Sequence, residues 1–300
     1  RLPFIGAAAA LDDSERSTAG CGVSVAMISG DESPPELKLA PQGMGRRRFL
    51  FIGAAAALDD SIARVLGRAL PAERFEYMLA PVGNRTVLAE RWGDREQPAP
   101  LGSLVKPFVA LAYAETRGFE FPRLRCRAGE CWLAAGHGDM DIESALAHSC
   151  NAYFRELARN VSPESLNAVA TRYAIPAPDV VSPETLIGRY GSWKAAPGAI
   201  ASAYAELAAR RSDPGVRTIM RGLRLCAESG TASGARARIA AKTGTAPCVH
   251  PRGSNGDGLI AALFPEQSPE YVLIVRGHGL PGAEVARSTA PFFRAVNHAR

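Results

Sequence analysis

Short apolar runs of β-like pattern stand towards both ends of the chain, and helical periodicity fills the middle. Phe75 to Ala80, the turn signal Pro81 to Asn84, and Thr86 to Glu90 predict a β-hairpin. Leu104 to Thr116 is a strongly apolar helix with Pro107 in its first turn, where a missing N–H costs little. An irregular stretch holding Cys126 and Cys131 follows. Ile142 to His148 and Ala152 to Arg159 then predict two helices flanking Ser149, Cys150 and Asn151. Ser162-Pro163-Glu164 combines an N-cap, a first-turn proline and an acid, which opens a helix to about Tyr173. Ser182-Pro183-Glu184 repeats that signal, and Pro197 to Ala209 and Val216 to Glu228 continue the helical region. Ile239 to Ala246, Gly258 to Phe264 and Tyr271 to Gly277 are short β-like runs, the last two joined through Pro265 to Pro269 as an antiparallel pair. Ala283 to His298 predicts one final amphipathic helix. The pattern is α+β: N- and C-terminal strands meet in one antiparallel sheet, with a helical subdomain between them.

The first seventy residues have a different character. Phe4 to Ser14 recurs letter for letter at Phe51 to Ser61, but nothing similar follows, which excludes a solenoid. Residues 1–43 are expected to be a duplicated or misassigned leader with no part in the fold. Residues 44–70 are expected to be an export signal and linker, and 71–300 the catalytic domain. Arg46 and Arg47, followed by Phe49 and an Ala/Gly-rich core, resemble a twin-arginine export signal. The longest apolar stretch, Phe49 to Leu58, is far below the roughly 18–20 residues of a membrane span. Export to the periplasm is expected, with membrane association left open.

Composition adds limits. A net charge of +5 and a pI near 9.0 could suit an anionic partner. The only basic block is Arg46 to Arg48 and there is no basic–aromatic interleaving, so no nucleic-acid partner is expected. Six cysteines are too few for a disulfide scaffold. Cys126 and Cys131 could close a small disulfide in an oxidising compartment or remain two thiols. With His137 and His148 they could suggest zinc, but the spacing is loose, and no metal is expected. Cys150 reads as a small buried residue.

Three motifs carry candidate chemistry. Ser103 and Lys106 stand three apart, so on a helix a hydroxyl and an amine share one face. A desolvated Lys could serve as the base that activates the Ser. Ser149 and Asn151 form the second motif: a hydroxyl to relay a proton and an amide to hold Lys106 and the substrate. Lys242, Thr243, Gly244 and Thr245 form the third, inside a predicted strand. There a cation and a hydroxyl could bind a carboxylate, Gly244 could leave room for substrate, and the Thr245 N–H could face an oxyanion.

Ser-x-x-Lys, Ser-x-Asn and Lys-Thr-Gly, in that order, resemble the signature of penicillin-binding proteins and serine β-lactamases. Pro100 to Phe108, His137-Gly138, Ala145 to Phe154 and Ala241 to Ala246 add to the likeness, which covers roughly residues 73–297. The resemblance implies a serine acyltransferase that acts on D-alanyl-D-alanine ends of peptidoglycan stem peptides and is acylated by β-lactams. Ser103 would be the nucleophile and Lys106 its base, with Ser149 and Asn151 completing the proton network. Lys242 and Thr243 would hold the carboxylate, and the N–H groups of Ser103 and Thr245 the oxyanion. No cofactor is implied; cell-wall synthesis proteins are possible partners. The third motif follows closely, 92 positions from Cys150 to Lys242. That compactness resembles class D β-lactamases and β-lactam sensor domains, whereas Asn151 does not. A β-lactamase or a non-catalytic sensor or scaffold is therefore the alternative.

Overall fold

The computed structural model describes residues 61–83, 86–247 and 256–298. The repeated segment before Ser61, the twin-arginine-like motif, Cys21 and Cys248 lie outside the described residues.

Strand β1 (Phe75–Pro81) turns back into a short β2 (Ala89–Arg91), which is the predicted hairpin with a briefer second arm. Strands β3 (Ala99–Pro100), β4 (Leu124–Cys126), β5 (Gly138–Met140) and β6 (Lys194–Ala195) belong to two small ribbons, β3 with β6 and β4 with β5. The irregular cysteine stretch is thus an antiparallel ribbon that sets Cys126 opposite Gly138. Strands β7 (Ala240–Ala246), β8 (Asp257–Phe264) and β9 (Tyr271–Gly277) join β1 and β2 in one antiparallel sheet of order β2-β1-β9-β8-β7. β1 pairs with β9 along its whole length, Phe75 against Gly277 to Pro81 against Tyr271. The two ends of the chain therefore meet as predicted, and β7 is left as an edge.

Helices cover both faces of the sheet. Residues 61–69 form α1; α9 (Gly282–Ser288) and α10 (Ala290–His298) close the chain. Between the strands run α2 (Lys106–Glu115), α3 (Ile142–Ala147), α4 (Asn151–Ala158), α5 (Pro163–Arg172), α6 (Pro183–Leu186), α7 (Pro197–Ala209) and α8 (Pro214–Glu228). Ser162 and Ser182 cap α5 and α6 by accepting the N–H of Ser165 and Thr185, as the repeated signal predicts. Period-two alternation sends Val272 and Ile274 of β9 into a core with α2, α4, α5 and α7, and Leu273 and Val275 into a second with α1, α9 and α10. Among the described residues no helix is long and apolar enough to cross a membrane.

The predicted single C-terminal helix is corrected to two. Pro291 has no N–H for the Arg287 carbonyl and its ring crowds that group, so the helix cannot run through. The chain breaks at Thr289, whose hydroxyl donates to Ala286 O at 2.7 Å.

Candidate active site

Ser103 lies in a 3₁₀ turn, Gly102–Val105, that feeds directly into α2. Tyr204 of α7 donates to Leu104 O at 2.9 Å and braces this turn from within the core. Gly102 has a φ of 52° and sits against β7, where a Cβ would come within 2.7 Å of Thr245 O. Only glycine takes both the left-handed backbone and the contact without strain. From β7, Gly244 meets the same turn: a Cβ there would lie 3.1 Å from Leu101 O and 3.2 Å from Ser103 N. The space at Gly244, expected to admit substrate, is instead filled by the turn that carries Ser103.

The second motif is a helix–helix corner. Asp141 opens α3 with a capping box to Ser144. The helix ends at Ser149, which takes a φ of 52°, while Cys150 N donates back to Ala145 O at 3.0 Å. This is a Schellman-type stop with serine where glycine is usual, and the left-handed backbone costs about 1–2 kcal/mol. Cys150 then serves as N-cap of α4. The strained corner points the Ser149 hydroxyl at two cations.

Lys106 is fully buried at the start of α2 and donates to Asn151 Oδ1 at 2.6 Å, Ser149 O at 2.8 Å and Ser149 Oγ at 3.2 Å. Lys242 is equally buried and donates to Thr243 O at 2.7 Å and Ser149 Oγ at 2.9 Å. One hydroxyl thus bridges two ammonium groups. Burial, and then the charge of Lys242, pushes the Lys106 ammonium well below its ordinary value; burial lowers Lys242 to about 8. Two adjacent desolvated cations favour a state in which one is a neutral amine, which is the form that accepts a proton.

Ser103 and Asn151 open onto a cleft of about 430 Å³, walled by Gly188, Arg189 and Tyr190 on one side and Thr245 to Pro247 on the other. No carboxylate stands among its described lining residues. Thr245 is exposed there, and its Oγ1 accepts the Gly282 N–H at 3.0 Å, which leaves its own proton to donate. Thr243 is buried and its hydroxyl is hydrogen-bonded to that of Thr231. Of the two threonines, the one placed to meet a ligand is therefore Thr245.

All three sequence motifs converge on this place. Sequence reading missed Thr231, the Arg189–Tyr190 wall, and Trp132, whose Nε1 donates to Ser149 O at 3.2 Å. Nothing in their spacing marks them. Of the two alternatives for Cys126 and Cys131, the structure has the two free thiols, and the Cys131 sulfur lies 3.9 Å from that of Cys150. The hydrogen bond between the two thiols pulls Cys131 down and pushes Cys150 up. The expectation of no metal also meets a difficulty, because Cys126, Cys131, His137 and Cys150 gather in one cluster.

Residues 95–298 match the family described as "Penicillin binding protein transpeptidase domain". Penicillin-binding protein 2 of Pseudomonas aeruginosa, solved with WCK 5153, superposes with a TM-score of 0.66 at 19% identity, over 78% of this chain and 73% of that one. The Helicobacter pylori penicillin-binding protein 2 solved with MreC gives 0.67 at 15% identity, over 80% and 63%. The transpeptidase domain of Burkholderia pseudomallei penicillin-binding protein 3 gives 0.64 at 16%, over 82% and 94%. At these identities the likeness is one of fold. No curated protein matches the chain.

Proposed function

The chain belongs to the penicillin-binding protein transpeptidase domain family, and from that premise we propose that it is a serine D,D-transpeptidase acting on peptidoglycan stem peptides. The observation that carries this reading is the Ser149 hydroxyl held between buried Lys106 and Lys242 beside a cleft lined by Ser103.

In the proposed cycle, neutral Lys106 takes the Ser103 proton as Oγ attacks the carbonyl of the penultimate D-alanine. The oxyanion is held by the N–H groups of Ser103 and Thr245. The proton passes from Lys106 through Ser149 Oγ to the leaving D-alanine nitrogen as the peptide bond breaks. Asn151 keeps Lys106 aimed, Lys242 favours the neutral form of Lys106 and tethers Ser149, and Thr245 with Arg189 receives the terminal carboxylate. An acceptor amine then attacks the ester and restores Ser103. A carboxypeptidase would use water at that step.

Among the described lining residues no carboxylate is placed to activate water, which supports slow deacylation and favours transpeptidation over β-lactamase turnover of the kind that uses such a group. Intact-protein mass after penicillin treatment should show one adduct persisting for minutes, located on Ser103 and absent from Ser103→Ala. Rapid penicillin hydrolysis without accumulated adduct would identify a β-lactamase instead. Work on peptidoglycan requires a place outside the cytoplasmic membrane, where cell-wall synthesis proteins would be its partners. Arg46→Lys with Arg47→Lys should then trap the chain inside the cell; unchanged periplasmic signal would remove the twin-arginine route.

A further inference from the structure

Cys126 ends β4, Cys131 lies in the loop beyond it, His137 precedes β5, and Cys150 caps α4. Each offers one ligand atom, and these four atoms all lie within 4.8 Å of one another. We propose that Cys126, Cys131, His137 and Cys150 form a structural zinc site that fixes the segment carrying Ser149 and Asn151.

Geometry supports the assignment. Tetrahedral zinc binds sulfur at about 2.3 Å and imidazole nitrogen at about 2.0–2.1 Å, which sets S···S edges near ~3.8 Å and S···N edges near ~3.6 Å. The sulfurs of Cys131 and Cys150 are 3.9 Å apart, and Cys126 Sγ is 3.6 Å from His137 Nδ1. Two of the edges already have the lengths zinc requires. A disulfide needs about 2.05 Å between sulfurs.

The surroundings point the same way. Cys126 and Cys150 are buried. Ring contacts with Trp132 and His148 hold the His137 imidazole with Nδ1 facing Cys126 Sγ. Three cysteines and one histidine complete a four-coordinate shell with no open position, the pattern of a structural rather than a catalytic ion. Binding Zn²⁺ releases the thiol protons to solvent and leaves the site with one net negative charge.

The site is joined to the second motif by covalent bonds, because Cys150 stands between Ser149 and Asn151. Cys131 Sγ also accepts the Asn151 N–H at 3.1 Å, a bond strengthened when the sulfur is a thiolate. Zinc would thus pin the left-handed corner that aims Ser149. The sequence signal was obscured because His148, the histidine nearest Cys150, stands outside the cluster while Cys150 itself is the fourth ligand.

The test is metal content of the full chain purified without chelator, which is read independently of acylation. One zinc per chain is expected, released as a mercurial reagent titrates the thiols. Cys131→Ser should weaken zinc binding by more than the roughly 10–100-fold that losing an outer-shell partner costs. A metal-free native protein whose thiols all react freely, or a Cys131–Cys150 disulfide in unreduced peptide maps, would overturn the site. If Cys131→Ser fails to fold, cobalt loading of the unaltered chain still decides. Thiolate-to-cobalt charge-transfer bands with tetrahedral d–d absorption support the site, and an octahedral aquo-cobalt spectrum sinks it.

Discussion

The two faces of the central sheet are made from alternate residues of the same strands, yet they use burial for opposite ends. Towards α1, α9 and α10 the interior is apolar, with Phe264, Phe292 and Phe293 meeting at ring-centroid distances of 5.1 to 5.9 Å. On the other side, the interior built on Leu104, Val105 and Phe108 lies beside Lys106, Lys242 and the strained Ser149. The first arrangement removes hydrocarbon from water and holds the sheet together. The second opposes folding, because each buried ammonium costs desolvation that three or two hydrogen bonds only partly return. Stability and reactivity are therefore built on different sides of five strands.

Exchanging the character of each face tests the contrast. Lys106→Met keeps volume and removes the charge; acylation by penicillin should slow by about 10²–10⁴-fold, the range for loss of a general base. The melting temperature should hold or rise. A melting temperature that falls instead would mean that the lysine is part of the scaffold. Phe292→Ala should do the reverse, costing about 3–5 kcal/mol in denaturant unfolding while the folded fraction acylates at the unaltered rate. A slowed rate in folded protein would show that the faces are coupled.

The smallest expected effect is a displaced pH profile. In the proposed cycle Lys106 accepts a proton only when neutral, so acylation should rise with pH through its pKa. The charge of Lys242 is one of the causes holding that pKa down. Lys242→Met should therefore move the acid limb of the acylation rate to higher pH. An unmoved limb, measured by stopped-flow acylation across pH, would assign the titration to another group.

Much of this was legible in the sequence, for reasons that differ by element. Caps at Ser162 and Ser182, the apolar run of β8 and the helix carrying Lys106 are local signals, and each appears where it was predicted. Ser103, Lys106, Ser149 and Lys242 were found because their three motifs, in that order, resemble the penicillin-binding protein signature, whereas helical spacing alone pairs only Ser103 with Lys106. The break at Thr289 was missed because amphipathic periodicity continues across Pro291 while the hydrogen-bond ladder does not. Thr231, Trp132 and Tyr190 were missed for a deeper reason: each reaches the site through the tertiary path of a loop. The cysteine cluster shows the same limit, since its fourth ligand comes from a different element than the other three.

The backbone contacts around Ser103 set how freely this enzyme can drift in sequence. A Cβ at Gly188 would collide with Gly102 O, one at Gly102 with Thr245 O, and one at Gly282 with Gly244 O. Main chain stacks on main chain from the cleft wall, through the Ser103 turn and β7, to the start of α9, with no side chain between to absorb a change. In a deep mutational scan selected for acylation, these positions should form a line of sites that admit one residue, crossing a domain whose neighbouring surface accepts many. Innovation in such a catalyst is steered outward, to Arg189, Tyr190 and the rim, where a new side chain can alter what the cleft receives without moving the serine.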